Sequence, residues 1–509
     1  MKKRTKKYIP FRFIVATLIT VFLIFAIIGI VVYLCYKVPR FYTLALVVQF
    51  LCVVHLIASD DNPDYKVPWL VLIMGLPIVG FMLYFLFFSR KLSKRYVRKL
   101  KAILNDTYER DDQKDFNQLK NESVTAYNQF KMLSKLSGAS LFTSTKTSYF
   151  GDINELTKML LNDIKNAKNF IFIEFFIVEQ GEFWNSILKI LIEKAKCGVD
   201  VRVLYDDIGC IRTLPGNYYK KLQKFSIKAI PFSRMRGGLD SEFNNRNHRK
   251  IVAIDGKIGY TGGFNLADEY VNKKVRFGKW KDSGIRLEGK AVFELVKLFL
   301  IDFGLNDKEN IEVPDNAFSE SGSNKFYGYV MPFGDGPKPL YQRSVSKAVI
   351  QSLLASAKNY VYISTPYLIV DNDLLSDIEN ASLRGVEVKI AIPGIPDKKI
   401  VYEITKSCYS RLLSAGVKIY EYTPGFVHAK NYLVDGEYAL SGSINLDYRS
   451  LVHHFENGVL VYKTESVKDI ENDLNTLFSQ CKQVHIETIK NGPVKRLFIS
   501  LIKFFAPLM

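Results

Sequence analysis

The chain has 509 residues, 48% of them hydrophobic, and its 70 Lys and Arg against 51 Asp and Glu give a formal charge of +19. That composition excludes a disordered chain, and the length allows about three domains. Residues 1–101 carry +13, residues 490–509 carry +4 and residues 102–489 only +2; a nucleic-acid protein wears its excess on the folded domain, so the distribution points to a membrane surface instead.

Three apolar stretches come first, at 13–36, 44–58 and 67–88. The first and third are long enough to cross the ~30 Å hydrocarbon layer as helices, while the second is short for a span. No small-residue cleavage site follows the first, so a removed signal peptide is not indicated. Basic clusters at Lys2, Lys3, Arg4, Lys6 and Lys7 and at Arg90, Lys91, Lys94, Arg95, Arg98, Lys99 and Lys101 both belong in the cytoplasm by the positive-inside rule. Two flanks on one side require an even number of crossings. The Asp60, Asp61 and Asp64 loop is then expected outside, with one of the first two stretches not crossing fully and the bulk of the chain cytoplasmic.

After a polar helical linker at 102–140 the chain repeats itself. Ala167-Lys168-Asn169 before an apolar run at 170–178 is echoed by Ala357-Lys358-Asn359 before 360–370, and GVDVRV at 198–203 by GVEVKI at 385–390. Each β-rich run follows an amphipathic helical pattern, at 153–164 and 344–355. The period is too long for a solenoid and implies two α/β halves facing each other, joined through the Asn-, Asp-, Gly- and Ser-rich stretch at 305–335. The boundaries expected are an anchor of two to three apolar helices at 1–101, the linker, halves at 141–315 and 316–489, and a basic amphipathic tail at 490–509. The six cysteines include no C-x-x-C pair, which fits a reducing compartment.

The closest echo is HRKIVAIDG at 248–256 followed by Gly262-Gly263-Phe264-Asn265, matched by HAKNYLVDG at 428–436 followed by Ser441-Gly442-Ser443-Ile444-Asn445. Each reads as strand, Asp-Gly turn, strand. Residues i and i+2 of a strand share a face, which sets His248 beside Lys250 and His428 beside Lys430, with Asn265 and Asn445 just past the returning strands. A neutral imidazole is a nucleophile or proton carrier at neutral pH, and a lysine and an amide neutralise phosphate oxygens. Two copies supply one nucleophile, one general acid and two cations over a single phosphodiester, with no metal needed. Asp255 and Asp435 read either as catalytic members of the motif or as the Asp that such turns favour. Adjacent His453 and His454, placed on a strand, would face opposite sides, against a metal site. Glu174 reads as lining the site or as a buried partner of a lysine. Val494, Leu497, Phe498, Leu501, Ile502, Phe505 and Leu508 fall at helical spacing, suited to a lipid interface or to packing on the domain.

These paired HxKxxxxD motifs with trailing G[GS]xN resemble the phospholipase D superfamily over roughly residues 140–490, which implies two α/β sandwich halves building one site. Pro63, Lys66, Trp69, GLPIVG at 75–80, Tyr84, the 263–270 segment, Trp280-Lys281-Asp282, Thr365-Pro366-Tyr367, Asp447, Arg449-Ser450 and Phe455-Glu456 are similar to bacterial cardiolipin synthases within it. Ala267, Phe303 and His454 depart from that family's usual Gly, Trp and Asn. The resemblance implies phosphatidyl transfer between two phosphatidylglycerol molecules at an anionic bilayer, giving cardiolipin and glycerol without a cofactor or nucleic acid. It implies His248 as nucleophile and His428 as general acid, with swapped roles fitting equally well. Lys250, Lys430, Asn265 and Asn445 would bind phosphate, and Asp282 and Glu456 would orient the histidines. A hydrolase releasing phosphatidic acid uses the same residues, a tethered nuclease conflicts with the +2 balance, and a homo-oligomer stays open.

Overall fold

The computed structural model describes residues 11–76, 78–87, 98, 112–234, 245–306, 327–489 and 492–508. Most of both basic flanks and the centre of the joint between the halves lie outside them.

The strands of the first half are β1 (Thr145–Phe150), β2 (Phe170–Phe175), β3 (Asp200–Asp206), β4 (Lys228–Phe232), β5 (Lys250–Ile254), β6 (Ile258–Gly262), β7 (Lys279–Lys281) and β8 (Gly284–Gly289). Those of the second are β9 (Tyr329–Asp335), β10 (Tyr360–Ser364), β11 (Leu368–Ile369), β12 (Glu387–Pro393), β13 (Lys418–Tyr422), β14 (Gly425–Val427), β15 (Asn431–Val434), β16 (Tyr438–Gly442), β17 (Leu446–Asp447), β18 (Glu456–Tyr462) and β19 (Cys481–Gln483). One sheet runs β1-β8-β6-β5-β2-β3-β4 and the other β9-β18-β16-β15-β10-β12-β13-β19. The duplication seen in the sequence is therefore a duplication of strand order, each sheet mixed, with β2-β3-β4 and β10-β12-β13 parallel.

Alternation along the strands sorts side chains into three layers. Phe170, Phe172, Ile251 and Ala253 join Tyr362, Leu433 and Ala439 in a core shared by the two sheets, with helices Val292–Asn306 and Glu465–Ser479. Ile171, Ile173, Val252 and Ile254 face the outer core of the first half, and Val361, Ile363, Tyr432 and Val434 that of the second. Helices Gln113–Glu122 and Val124–Ser137 bury Phe116, Leu119, Phe130 and Leu133 in the second half's outer core, where Gln129 donates to the Ser352 carbonyl at 3.0 Å.

The anchor differs from the hydropathy reading. Helices α1 (Phe11–Lys37) and α2 (Pro39–Ala58) contain the apolar spans Thr17–Lys37 and Arg40–Ala58, both long enough to cross a membrane, so the second stretch is not too short. The third stretch is instead two helices, α3 (Pro63–Gly75) and α4 (Val79–Phe87), folded back on each other. At ~1.5 Å per residue they are ~20 and ~14 Å long, short of the ~30 Å layer. The sequence carries Pro77, which cannot continue a helix. Gly80 permits the close return: a Cβ there would lie 2.7 Å from Ile73 Cα. Trp69 and Tyr84 close the hairpin edge-to-face, ring centroids 5.8 Å apart, and join Cys52 and Leu56 of α2 in one cluster.

The acidic loop likewise sits elsewhere than expected. Asn62 donates to Asp371 at 2.8 Å, the Asn372 amide donates to Asp64 at 2.7 Å, and Lys338 lies 4.0 Å from Asp61. The loop thus shares a side with the catalytic-looking body, because its carboxylates satisfy groups of the second half. The carboxy-terminal helix Pro493–Phe505 buries Ile499 and contacts helix Lys399–Lys406, and the turn after it contacts α3. Its Val494, Leu497, Phe498 and Leu501 stay exposed.

Candidate active site

The two motif hairpins form as the Asp-Gly signals require. Asp255 and Gly256 (φ 52° and 65°) turn β5 into β6, and Asp435 and Gly436 (φ 53° and 62°) turn β15 into β16. Both successive residues have positive φ, as a type I′ turn demands. Asp255 accepts from the Lys168, Asn169 and Phe170 amides at 2.7–2.9 Å, and Asp435 from Lys358, Asn359 and Tyr360 over the same distances. A strand advances ~3.3 Å per residue, so Asp255 stands ~16 Å from Lys250. As members of the catalytic cluster the two aspartates are therefore corrected to backbone clamps at the far ends of their strands.

At the near ends the halves exchange strands. β7 pairs parallel with β14, Lys281 opposite Val427, so the next residues, Asp282 and His428, emerge side by side. Asn247 forms the equivalent parallel bridge with Phe455, which sets His248 beside Glu456. Each imidazole is thus held by a carboxylate of the other half. His248 Nδ1 lies 2.9 and 3.0 Å from the two Glu456 oxygens, and His428 Nδ1 lies 2.7 Å from Asp282 Oδ2. Glu456 is fixed in turn by the hydroxyls of Ser443 and Ser450, and Asp282 by the Ser283 amide and the Trp280 indole. With Nδ1–H directed at a carboxylate, each Nε2 keeps its lone pair.

Lys250 and Lys430 are fully buried. Lys250 Nζ donates to the His248 carbonyl at 2.6 Å, and Lys430 Nζ donates to that of His428. Lys430 Nζ also lies 2.8 Å from His428 Nδ1; because that nitrogen carries its own proton, directed at Asp282, the ammonium hydrogens go to the carbonyl. Burial lowers Lys250 to about 7 and Lys430 to about 8. Burial, then the lysine charges, hold His248 well below its ordinary value, and burial with Lys430 brings His428 to about 4. Both imidazoles are neutral near pH 7. Burial opposes ionisation of Asp282, but His428 and Lys430 outweigh it and hold the carboxyl below its usual range.

Asn265 accepts from the Ile177 amide at 3.0 Å and donates to Tyr270 at 2.7 Å, leaving one amide hydrogen for a ligand. The buried Asn445 carbonyl oxygen has no hydrogen-bond partner among the described residues. Glu174 does not line the site: it accepts from Asn247 at 2.5 Å, beside Asp302, which pairs with Arg249 at 2.6 Å, and burial raises its carboxyl well above the usual range. His454 is the residue that sequence reasoning misplaced. Residues Arg449–His453 form a π-helical turn, not a strand, and His454 leaves it to set its ring centroid 5.5 Å from that of His248. His248, His454 and Glu456 each bring one ligand-type atom within 4.8 Å of the others, but Glu456 is already committed to an imidazole and two hydroxyls.

A family model described as "Cardiolipin synthase, PLD-like domain" matches residues 160–276 and 350–478, and one described as "Phospholipase_D-nuclease N-terminal" matches residues 47–87. A cardiolipin synthase of Alkalihalophilus pseudofirmus is 33% identical over 456 residues, 89% of this chain and 90% of that protein. Cardiolipin synthase 2 of Bacillus anthracis is 32% identical over 467 residues, 90% and 89% of the two chains. The crystal structure of phosphatidylserine synthase from Haemophilus influenzae superposes with a TM-score of 0.58 at 16% identity, over 75% of this chain and 100% of that one, a likeness of fold.

Proposed function

Because the chain belongs to the cardiolipin synthase family, a membrane family of phospholipase D-like enzymes acting on phospholipids, we propose that it is a phosphatidyltransferase using phosphatidylglycerol as both donor and acceptor. His248 Nε2 attacks phosphorus. The bond from phosphorus to the glycerol oxygen breaks as His428 protonates the departing alkoxide, which releases glycerol and leaves a phosphatidyl-histidine. His428 then takes the proton of a hydroxyl on the second phosphatidylglycerol, whose oxygen forms the new ester bond while the bond from nitrogen to phosphorus breaks. One phosphodiester is exchanged for another, and protons balance across the two steps.

The observation that carries this reading is the pair of neutral imidazoles, each anchored at Nδ1 by a carboxylate of the opposite half. Glu456 brackets His248 Nδ1 with both oxygens, which suits the positive charge of an N-phosphorylated imidazole and favours His248 as the nucleophile. A neutral His428 must be protonated to act as acid, and the substrate itself supplies the bias. One phosphodiester charge at ~4 Å is worth about 4 kcal/mol at an effective dielectric of about 20, enough to return the imidazole to the neutral range. Lys250, Lys430, Asn265 and Asn445 hold the phosphate oxygens in this scheme.

The anchor reading follows the packing. α1 and α2 cross the bilayer, α3 and α4 form a re-entrant hairpin, and both basic flanks, the acidic loop and the catalytic halves lie in the cytoplasm. Residues 1–101, 141–315 and 316–489 then serve as anchor and paired catalytic halves. Donor and acceptor both reach the site from the plane of the membrane.

Purified enzyme with phosphatidylglycerol in mixed micelles, with and without chelator, tests the function. Cardiolipin and glycerol in equal amounts are expected in both arms; phosphatidic acid without cardiolipin would establish the hydrolase instead.

A further inference from the structure

His454 is a buried imidazole without a hydrogen-bond partner within reach among the described residues. It is 8% exposed, and neither ring nitrogen makes a hydrogen bond to any of them. Nδ1 lies 3.7 Å from Glu456 Oε1, beyond hydrogen-bond reach, and that carboxylate already accepts from His248, Ser443 and Ser450. Burial lowers the imidazole to about 3, so the ring is neutral and offers one N–H and one lone pair. The nearby carboxylate favours the proton on Nδ1, which leaves the lone pair on Nε2. A buried acceptor without a donor is unfavourable, and a ring needed only for packing would carry no orphan nitrogen at all.

The surroundings say what could satisfy it. The ring stands 5.5 Å from that of His248 and 6.4 Å from that of Phe176. The π-helical turn that presents it belongs to a class of irregularity frequent at functional sites. His453 of that turn packs against Tyr65 of the membrane hairpin, ring centroids 6.3 Å apart, so the segment sits where the anchor meets the catalytic body. A lipid phosphodiester and its acyl esters only accept hydrogen bonds. The sole donors on phosphatidylglycerol are the two hydroxyls of its headgroup, and the secondary one flanks both the ester oxygen of a donor molecule and the free primary hydroxyl of an acceptor.

Resting on the phosphatidylglycerol reading above, we propose that His454 accepts a hydrogen bond from a glycerol hydroxyl of the bound headgroup and so selects hydroxylated headgroups. The phosphate is held by other groups, so the contribution of His454 lies in which alcohol is bound. An asparagine at 454 also offers an acceptor, while a phenylalanine fills the space and offers none.

The test compares full-length wild type, His454→Phe and His454→Asn on two lipids in mixed micelles, phosphatidylglycerol and phosphatidylethanol, which share the phosphodiester but differ in headgroup hydroxyls. The readout is the ratio of kcat/KM for headgroup release from the two lipids. The expected result is a ratio about tenfold lower in His454→Phe, the effect of one neutral hydrogen bond, arising in KM for phosphatidylglycerol, with His454→Asn recovering part of it. An equal fall on both lipids, or an unaltered ratio, overturns the inference alone. A wild type that turns over neither lipid brings down the transferase reading and this inference with it.

Discussion

Replacing Glu456 with glutamine tests the cross-half anchoring of the imidazoles at one atom. The fully buried carboxylate accepts from His248 Nδ1 at 2.9 and 3.0 Å and from two serine hydroxyls. Glutamine keeps the volume, and the hydroxyls can reverse to accept from its amide. It removes the charge that stabilises a cationic His248 ring and lets an NH2 face Nδ1, which favours the tautomer with no lone pair on Nε2. A charge lost at about 4 Å, at an effective dielectric of about 20, is worth about 4 kcal/mol, or about 10³ in rate. Phosphate binding by Lys250 and Lys430 is untouched, so the fall belongs in kcat, with KM for phosphatidylglycerol within a few-fold of wild type. Cardiolipin formation over a concentration series in mixed micelles measures both constants. A kcat within threefold of wild type would refute the anchoring role.

The lowered lysines set the alkaline side of the pH profile. A lysine is charged below its pKa, so with Lys250 at about 7 and Lys430 at about 8 the cations binding phosphate are lost as pH rises through that window. The kcat/KM should fall as pH rises through it, with the loss of the Lys250 charge first, and Lys250→Arg should move the start of that limb upward toward the Lys430 value; a flat profile to high pH contradicts the assignment. Asp255→Asn should cost about 2 kcal/mol of stability, since charge-assisted bonds to three amides weaken, while folded enzyme keeps its kcat. Thermal unfolding alongside activity checks this, and a catalytic defect without destabilisation would restore Asp255 to the chemistry. For topology, Asp60→Cys should react with an impermeant maleimide from the same membrane face as exposed Cys197 of the catalytic body. Labelling from the opposite face contradicts the re-entrant hairpin.

The hairpins at 248–262 and 428–442 were legible in the sequence because their signals are local: an Asp-Gly pair forces the turn, and alternation fixes the face. The repeat made two like halves legible, though not the order of strands within either sheet. The pairing of Asp282 with His428 and Glu456 with His248 was not, since each pair joins residues about 150 to 210 positions apart in different halves, and only the parallel contacts of β7 with β14 and Asn247 with Phe455 bring them together. Hydropathy counted an apolar run at 67–88 but carried no information about direction, so two helices folded back on each other, α3 and α4, read as a span. His454 escaped because strand alternation was applied to a segment that winds as a π-helix. Asp255 and Asp435 show the converse: a motif residue can stand in the pattern because it closes the turn.

The most direct measurement is the identity of the covalent adduct. His428→Ala, incubated with a phosphatidyl ester of p-nitrophenol whose leaving group needs no acid, should release one equivalent of nitrophenol in a burst and stall. Mass spectrometry of the quenched protein should find the phosphatidyl group on the peptide containing His248. Release without any adduct, or a phosphatidyl group found on another residue, would contradict His248 as the nucleophile.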